Sequence, residues 1–399
     1  MKVSVIGQGY VGLSLSVELA RNNIQVVGFD INIQKVSDLI IGNHELPSTT
    51  KDELLQLQKQ SLKITSEPKD IYGSKIVVIA VPTPLNEKRL PDLSNLYAAC
   101  DLINRYGSEN ILVINESTSY PGTLRKIIAP QIKITNKFVV APERIDPGNQ
   151  KWNLKNTPRI IGGLSNEACE SAKQFYEIFC KNVITVKSPE IAEAAKLLEN
   201  SYRQINIAFV NEVAQILEKF EISAHDTIAA AATKPFGFSP FVPGVGVGGH
   251  CIPVDPNYLS YAAEQLGINA NFIKLAEKTN IEMPMYLAKR FQKDLGGSLV
   301  DKNIQIVGLS YKTEIADLRE SPAIALINEL RRLGAVVTWH DPIVKKWNGE
   351  QSCELNLKVD LGVIVTPHRS INFEPWQLGN VRVVDVSATS QEYGWTKYL

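Results

Sequence analysis

The sequence predicts an α/β protein in three parts. A doubly wound parallel-sheet domain covers residues 1–187, a central helical domain with one long helix covers 188–295, and a smaller parallel-sheet domain covers 296–399. Three observations predict it. Apolar strand-like runs alternate with helical stretches at both ends of the chain, which argues for parallel sheets covered by helices. A helical pattern without a breaker occupies the middle. Gly296-Gly297-Ser298 then reads as a linker before strand patterns return.

The elements follow in order. Lys2–Ile6, Gln25–Asp30, Lys75–Val81, Ile111–Asn115 and Lys137–Ala141 read as strands, with a helix at Leu13–Arg21 after the first. Ser188-Pro189 announces the long helix, with Ser at the cap and Pro in the first turn. Its pattern runs to about Glu221. Pro/Gly-rich sequence extends from Lys234-Pro235 to Pro256, and helical sequence continues to about Leu295. Beyond the linker, Ile304–Leu309, Val336–His340, Leu361–Thr366 and Val381–Val386 read as strands, and Ser321–Leu333 as a helix.

Composition excludes several classes. Of the 399 residues, 42 are Lys or Arg and 42 are Asp or Glu, so no basic excess points to nucleic acid. Five scattered cysteines make no disulfide framework, which suits a cytoplasmic setting. With the first strand at Lys2, there is no room for a signal peptide. No apolar run approaches the ~18 residues of a membrane span. No metal site is expected.

The run Val3-Ser4-Val5-Ile6-Gly7-Gln8-Gly9-Tyr10-Val11-Gly12 places G-x-G-x-x-G between a strand and a helix, and a second strand closes on Asp30. Gly7 suits the tight turn, Gly9 the close approach of a pyrophosphate, and Gly12 the packing of helix on strand. The helix N-terminus favours the diphosphate. An acid at position 30 suits an adenosine ribose and repels a 2′-phosphate, so NAD is expected rather than NADP. The first domain is therefore expected to be a Rossmann domain, with a Rossmann-like counterpart at the C-terminus. Tyr10, Val11 and Lys35 complete the expected cofactor contacts near these strands. Thr83, in Val81-Pro82-Thr83-Pro84, and Thr118, in Glu116-Ser117-Thr118, close later strands, where open parallel sheets hold their ligands.

The Pro/Gly-rich segment contains Pro243-Gly244-Val245-Gly246-Val247-Gly248-Gly249-His250-Cys251-Ile252-Pro253-Val254-Asp255-Pro256. A glycine-rich loop holding a thiol beside an NAD site suggests covalent oxidation of an aldehyde. The thiolate adds, hydride leaves, and a thioester remains for hydrolysis. The ordinary alternative is a buried inert cysteine, which is the reading for Cys100, Cys169, Cys180 and Cys353. His250 is expected in a structural or substrate-contact role. On the long helix Lys196, Asn200, Arg203 and Asn211 share a face. A lysine there would stabilise a developing oxyanion. A solvated face is the plain alternative.

These motifs come in an order that resembles the UDP-glucose/GDP-mannose dehydrogenase family. They are the G-x-G-x-x-G, Glu116-Ser117-Thr118, Ala141-Pro142-Glu143, Lys196-Leu197-Leu198-Glu199-Asn200, Gly248-Gly249-His250-Cys251-Ile252-Pro253 and Gly308-Leu309-Ser310-Tyr311-Lys312. Ala141–Asn149 and Lys234–Phe238 are most similar to the members that oxidise UDP-N-acetylglucosamine. UDP-glucose members carry Lys where Val254 stands, and UDP-N-acetylmannosamine members differ at Pro253.

The resemblance implies a four-electron oxidation of a UDP-sugar with two NAD consumed. Cys251 would carry the thiohemiacetal and thioester, and Lys196 and Asn200 would hold the reacting oxygen. Asp255 and Thr118 would orient water, with Glu143 nearby. Glu143, Arg144, Arg203, Phe241, Gly244, Gly248 and His250 are expected at the substrate, Lys312 at its UDP part and Arg319 at the cofactor. A homodimer through the long helix is expected, making uronic acids for a surface polysaccharide. Two departures stand out. Pro147 occupies the position of a second glutamate in UDP-glucose members, and Asp385-Val386-Ser387 replaces an Asp-Thr-Arg. A two-electron hydroxyacid dehydrogenase, which needs no thiol, is the alternative of a different class.

Overall fold

The computed structural model describes residues 1–146, 148–149, 151–387, 395 and 398–399. They form two compact units. The first is Met1–Glu199 with Asn257–Ile268, and the second is Asn200–Pro256 with Asn269–Leu399.

The first unit contains β1 (Lys2–Ile6), α1 (Tyr10–Arg21), β2 (Gln25–Phe29), α2 (Ile33–Ile40), α3 (Lys51–Gln60), β3 (Leu62–Thr65) and β4 (Ile76–Ile79). They are followed by α4 (Ser94–Tyr106), β5 (Leu112–Asn115), α5 (Ala129–Gln131), β6 (Lys137–Val140), β7 (Arg159–Gly163), α6 (Asn166–Tyr176) and β8 (Val183–Thr185). The strands make one sheet in the order β3-β2-β1-β4-β5-β6-β7-β8. Chain order reverses between β1 and β4, so the ligand crevice of such a sheet opens at their carboxyl ends. Val3, Val5, Val77, Val78 and Ile114 are wholly buried, as in strands covered on both faces.

The five expected strands are present, each within two residues of the expected bounds at either end. The structure adds β3, β7 and β8, whose short runs carry little periodicity. The sheet also departs from all-parallel order, because β7 runs antiparallel to β6.

The long helix α7 (Pro189–Lys219) starts at the expected proline. It is followed by α8 (Ala224–Ala232), the glycine-rich segment, α9 (Asp255–Glu264) and α10 (Asn271–Asp294). The division between the units falls inside α7 and α9. In the second unit, Gly296 and Gly297 take positive φ and turn the chain from α10 into β9 (Asn303–Val307). Then come α11 (Pro322–Arg332), β10 (Val336–His340), the small pair β11 (Lys346–Trp347) and β12 (Glu350–Gln351), β13 (Leu361–Ile364), α12 (Glu374–Leu378) and β14 (Val383–Asp385). Its main sheet has the order β10-β9-β13-β14, parallel throughout. Met283, Leu287 and Phe291 of α10 join Leu326 and Leu330 of α11 and Trp339 of β10 in its core. No helix among the described residues is long and apolar enough to cross a membrane.

Candidate active site

At the carboxyl end of β1, Gly7 sits at φ +92° and donates its N–H to Phe29. A Cβ on Gly12 would lie 1.8 Å from the Gly7 carbonyl, so only glycine permits this helix to start so close to the strand. A Cβ on Gly9 would meet nothing within 4 Å, which leaves the helix entry open. No side chain caps α1 there, so its first N–H groups are available to an anion. Asp30 closes β2 with its carboxylate accepting the Gln8 N–H at 2.8 Å and pairing with Lys35 at 3.0 Å. Room at Gly9, uncapped amides and an acid at the second strand end fit a dinucleotide. Tyr10 is half-buried at the helix entry, and burial raises its phenol pKa.

Two neighbouring strand ends carry Thr83, whose carbonyl accepts from Tyr258, and Thr118. Both threonines are buried. The segment after Thr118 is held by Glu193 of α7. That carboxylate accepts the Gly122 N–H at 2.6 Å, the Leu124 N–H at 2.9 Å and the Ser119 hydroxyl at 3.2 Å. Burial pushes the Glu193 carboxyl up to about 7 against the pull of those N–H donors.

Under the ends of β5 and β6 lies a buried ionic cluster. Arg159 of β7 donates to Glu116 at 2.7 Å and to Glu143 at 2.8 Å. Tyr176 donates its hydroxyl to Glu116 at 2.6 Å, and the Arg159 guanidinium stacks 4.6 Å from the Tyr176 ring centre. Glu143 also accepts the Arg144 N–H at 2.7 Å. Burial drives the Glu116 carboxyl up to about 7; Arg159 opposes the rise and Glu143 adds to it. Burial works to lower the Arg159 pKa, but the two carboxylates raise it.

In the second unit the thiol loop is built against residues 309–322. Gly249 donates its N–H to the Arg319 carbonyl at 2.9 Å and takes φ +87°. Side chains at 248 and 249 would overlap Tyr311, with Cβ atoms 2.8 and 2.6 Å from it. The loop is anchored farther back by Asn211 of α7, which is wholly buried. It accepts the Gly244 N–H at 2.9 Å and donates to Asn280 at 3.0 Å. Cys251 itself is exposed. Its carbonyl accepts the N–H of Val254 and of Asp255, a turn that leads into α9. Asn200 donates to the Asp255 carboxylate at 2.6 Å. The Asp317 carboxylate raises the pKa of Arg319, with smaller contributions from Tyr311 and the Cys251 sulfur. Burial pushes the Cys100 thiol up to about 12, which leaves it inert.

Comparison with known proteins matches three family models along the chain. They are the NAD binding domain (residues 1–180), the central domain (190–282) and the UDP binding domain (305–387) of the UDP-glucose/GDP-mannose dehydrogenase family. The chain belongs to that family. It is an NAD-dependent oxidoreductase of the UDP-sugar dehydrogenase class. It is 34% identical to a UDP-N-acetyl-D-glucosamine 6-dehydrogenase of Salmonella typhi, over 86% of this chain and 83% of that protein. It is also 34% identical to a UDP-N-acetyl-D-mannosamine dehydrogenase of Pyrococcus horikoshii, over 94% and 92%. A solved UDP-D-ManNAc dehydrogenase structure from Pyrococcus horikoshii superposes with a TM-score of 0.86 at 29% identity, covering 97% of this chain and 95% of that one.

As a member of this dehydrogenase family, the chain distributes its expected site residues between the two units. Gly7, Gly9, Tyr10, Val11, Gly12, Asp30, Lys35, Thr83, Thr118, Glu143, Arg144 and Lys196 belong to the first. Asn200, Arg203, Phe241, Gly244, Gly248, His250, Cys251, Asp255, Lys312 and Arg319 belong to the second. Arg144 is engaged by Glu199 at 2.7 Å and by the Pro158 carbonyl. Phe241 packs edge-on against Tyr202. Arg203 is exposed, whereas Lys196 and Lys312 are half-buried. Pro147 lies outside the described residues.

Sequence reasoning assigned no role to Arg159, Tyr176, Glu193, Tyr311 or Asp317. Arg159 sits in an unrecognised strand, and its burial follows only from its two carboxylate partners. Glu193, three residues before Lys196, lies on the same side of α7, and from the first turn of that helix it holds the Thr118 segment.

Proposed function

We propose that this enzyme oxidises the 6-hydroxymethyl group of UDP-N-acetylglucosamine to the carboxylate, in two oxidations that pass through a thioester on Cys251. The observation that carries the reading is the exposed thiol at the end of a glycine-rich turn fixed by Asn211 and Arg319, with the Asn200–Asp255 pair four residues on.

NAD, held by the Gly7–Gly12 turn and Asp30, supplies the hydride acceptor for both oxidations. Lys196 and Asn200 donate to the oxygen on the reacting carbon and stabilise its negative charge. The Cys251 sulfur adds to the aldehyde carbon, forming a thiohemiacetal whose oxidation leaves the thioester. Asp255 and Thr118 orient the water that cleaves it, and Glu143 assists removal of its proton. Lys312 contacts the UDP part, with Arg144, Arg203, Phe241, Gly244, Gly248 and His250 around the substrate. The product suits a surface polysaccharide containing uronic acids, and the reaction is placed in the cytoplasm, where both soluble substrates are available.

The similarity of Ala141–Asn149 to the N-acetylglucosamine members supports that sugar, since the identity to N-acetylmannosamine members is equal. The same chemistry on UDP-N-acetylmannosamine is the second reading. We further propose a homodimer through α7. Ile191, Leu198, Tyr202, Phe209 and Ile216 recur at spacings of seven and four and are 46 to 64% exposed, an apolar stripe suited to a second helix.

A panel of UDP-N-acetylglucosamine, UDP-N-acetylmannosamine and UDP-glucose, followed by NADH release, tests the reading. The first should give the highest kcat/KM. A preference for either other sugar overturns the substrate, and a Cys251→Ala protein that still makes the uronate at the normal rate overturns the covalent step.

A further inference from the structure

We propose that His368 is a positioning residue for the nucleotide end of the substrate. Held on Asp341, it fixes the backbone of residues 310–314 and so sets where Lys312 stands. This rests on the function proposed above, in which Lys312 contacts the UDP part, and every residue it uses lies in the second unit.

The cluster stands at the carboxyl ends of three neighbouring strands. Ser310 follows β9, Asp341 follows β10 and His368 follows β13, and all three are buried. Chain order in this sheet reverses between β9 and β13, where a parallel sheet ordinarily opens a ligand crevice. Here the two strand ends meet backbone to backbone, since a Cβ on Gly308 would lie 1.9 Å from the Thr366 carbonyl oxygen. Buried polar side chains at such a place must satisfy one another.

Their hydrogen bonds leave one assignment of protons. His368 Nδ1 accepts the Glu314 N–H at 2.9 Å, so the ring proton is on Nε2. Ser310 donates its hydroxyl to the Lys312 carbonyl at 3.0 Å, so its oxygen accepts from Nε2 at 3.1 Å. Asp341 Oδ2 lies 3.2 Å from the same nitrogen and also accepts the Leu309 and Ser310 N–H groups. Burial works to raise the Asp341 carboxyl, but His368 and the backbone donors hold it at about 2. One ring thus grips the 310–314 segment at both ends. Between the grips lie Lys312 and Tyr311, whose side chain stands against Gly248 and Gly249 of the thiol loop. Glu314 is held at φ +63°, a left-handed backbone that a glutamate adopts when its surroundings impose it. Its carboxylate accepts the Arg369 N–H at 2.8 Å. Removing the ring removes both grips, while the anchor of the thiol loop at Asn211 stays.

The test is binding of UDP to the full chain by calorimetric titration, with NAD binding and thermal melting measured beside it. His368→Phe should raise the Kd for UDP about ten-fold or more, with the Kd for NAD nearly unchanged. His368→Gln, whose amide can still donate to Asp341 and Ser310, should recover part of that loss. Lys312→Ala should weaken UDP by itself, and adding His368→Phe to it should cost little more, because both changes act on one contact. Ser310→Ala, a smaller change, should weaken UDP in the same direction, and it decides the matter where His368→Phe does not fold. An unchanged Kd for UDP in folded His368→Phe or in Ser310→Ala, or losses that add in full in the double variant, would overturn the inference. So would equal weakening of UDP and NAD with a lowered Tm, which marks a purely structural role. If Lys312→Ala leaves UDP binding intact, the assignment of Lys312 to the UDP part fails first and takes this inference with it.

Discussion

Asn200 on α7 donates its side-chain N–H to the Asp255 carboxylate at 2.6 Å, tying the long helix to the first residue of α9. Asp255 also donates its backbone N–H to the Cys251 carbonyl at 2.8 Å. One helix position therefore orients a carboxylate whose backbone is bonded to the turn that carries Cys251. Asn200→Ala should lower kcat by about ten- to a hundred-fold, through lost oxyanion stabilisation and a loosened Asp255. Steady-state kinetics and a melting curve check this. A kcat within two-fold of normal would remove Asn200 from the mechanism.

The glycines of the first turn should separate by role. Gly12→Ala forces a Cβ into the Gly7 carbonyl and should destabilise the first unit. Gly9→Ala meets no protein atom, so the protein should keep its Tm while KM for NAD rises about ten-fold or more. Calorimetric titration with NAD alongside thermal melting distinguishes the two.

Asn211 serves structure first. Asn211→Ala would strand the part-buried Gly244 N–H and the buried Asn280 side-chain Oδ1. Each orphaned group costs about 1–3 kcal/mol. Urea denaturation should show a loss of that order. Activity should fall further than stability alone explains, because the loop carrying Cys251 loses its anchor.

Stability should depend on pH from two directions. The Glu193 carboxyl is raised to about 7 from an ordinary value near 4.5, so the folded state holds its proton after the unfolded chain has lost it. That contribution is fully present below about 4.5 and disappears as pH rises through 7, a change on the order of 1–3 kcal/mol. Glu190 behaves oppositely. Its bond to Arg125 lowers it to about 2, so its contribution is present above 4.5 and lost on acidification towards 2. Asp341 is also held at about 2, where His368 and backbone N–H donors outweigh its burial. Melting of Glu193→Gln between pH 5 and 8 should show a flatter profile than the unsubstituted protein.

Much of this was legible in the sequence because local chemistry dictates it. The Gly7–Gly12 turn, Asp30 at a strand end and the proline start of α7 each follow from steric or capping rules acting within a few residues. The exposed turn around Cys251 was legible because the glycines before it have no ordinary reason to cluster. Arg159 was not, since its role depends on Glu116 and Glu143 arriving from two other strands. Asn211 was read as part of a polar working face. Its burial against Gly244 and Asn280 comes from α10, a partner 69 positions away in the chain.

The central claim is a four-electron oxidation through Cys251. The direct measurement is the ratio of NADH formed to UDP-N-acetylglucosamine consumed, taken to completion with limiting sugar. The account predicts two NADH for each sugar, with uronate as the only sugar product. A ratio of one, with free aldehyde, or no NADH at all, would contradict it.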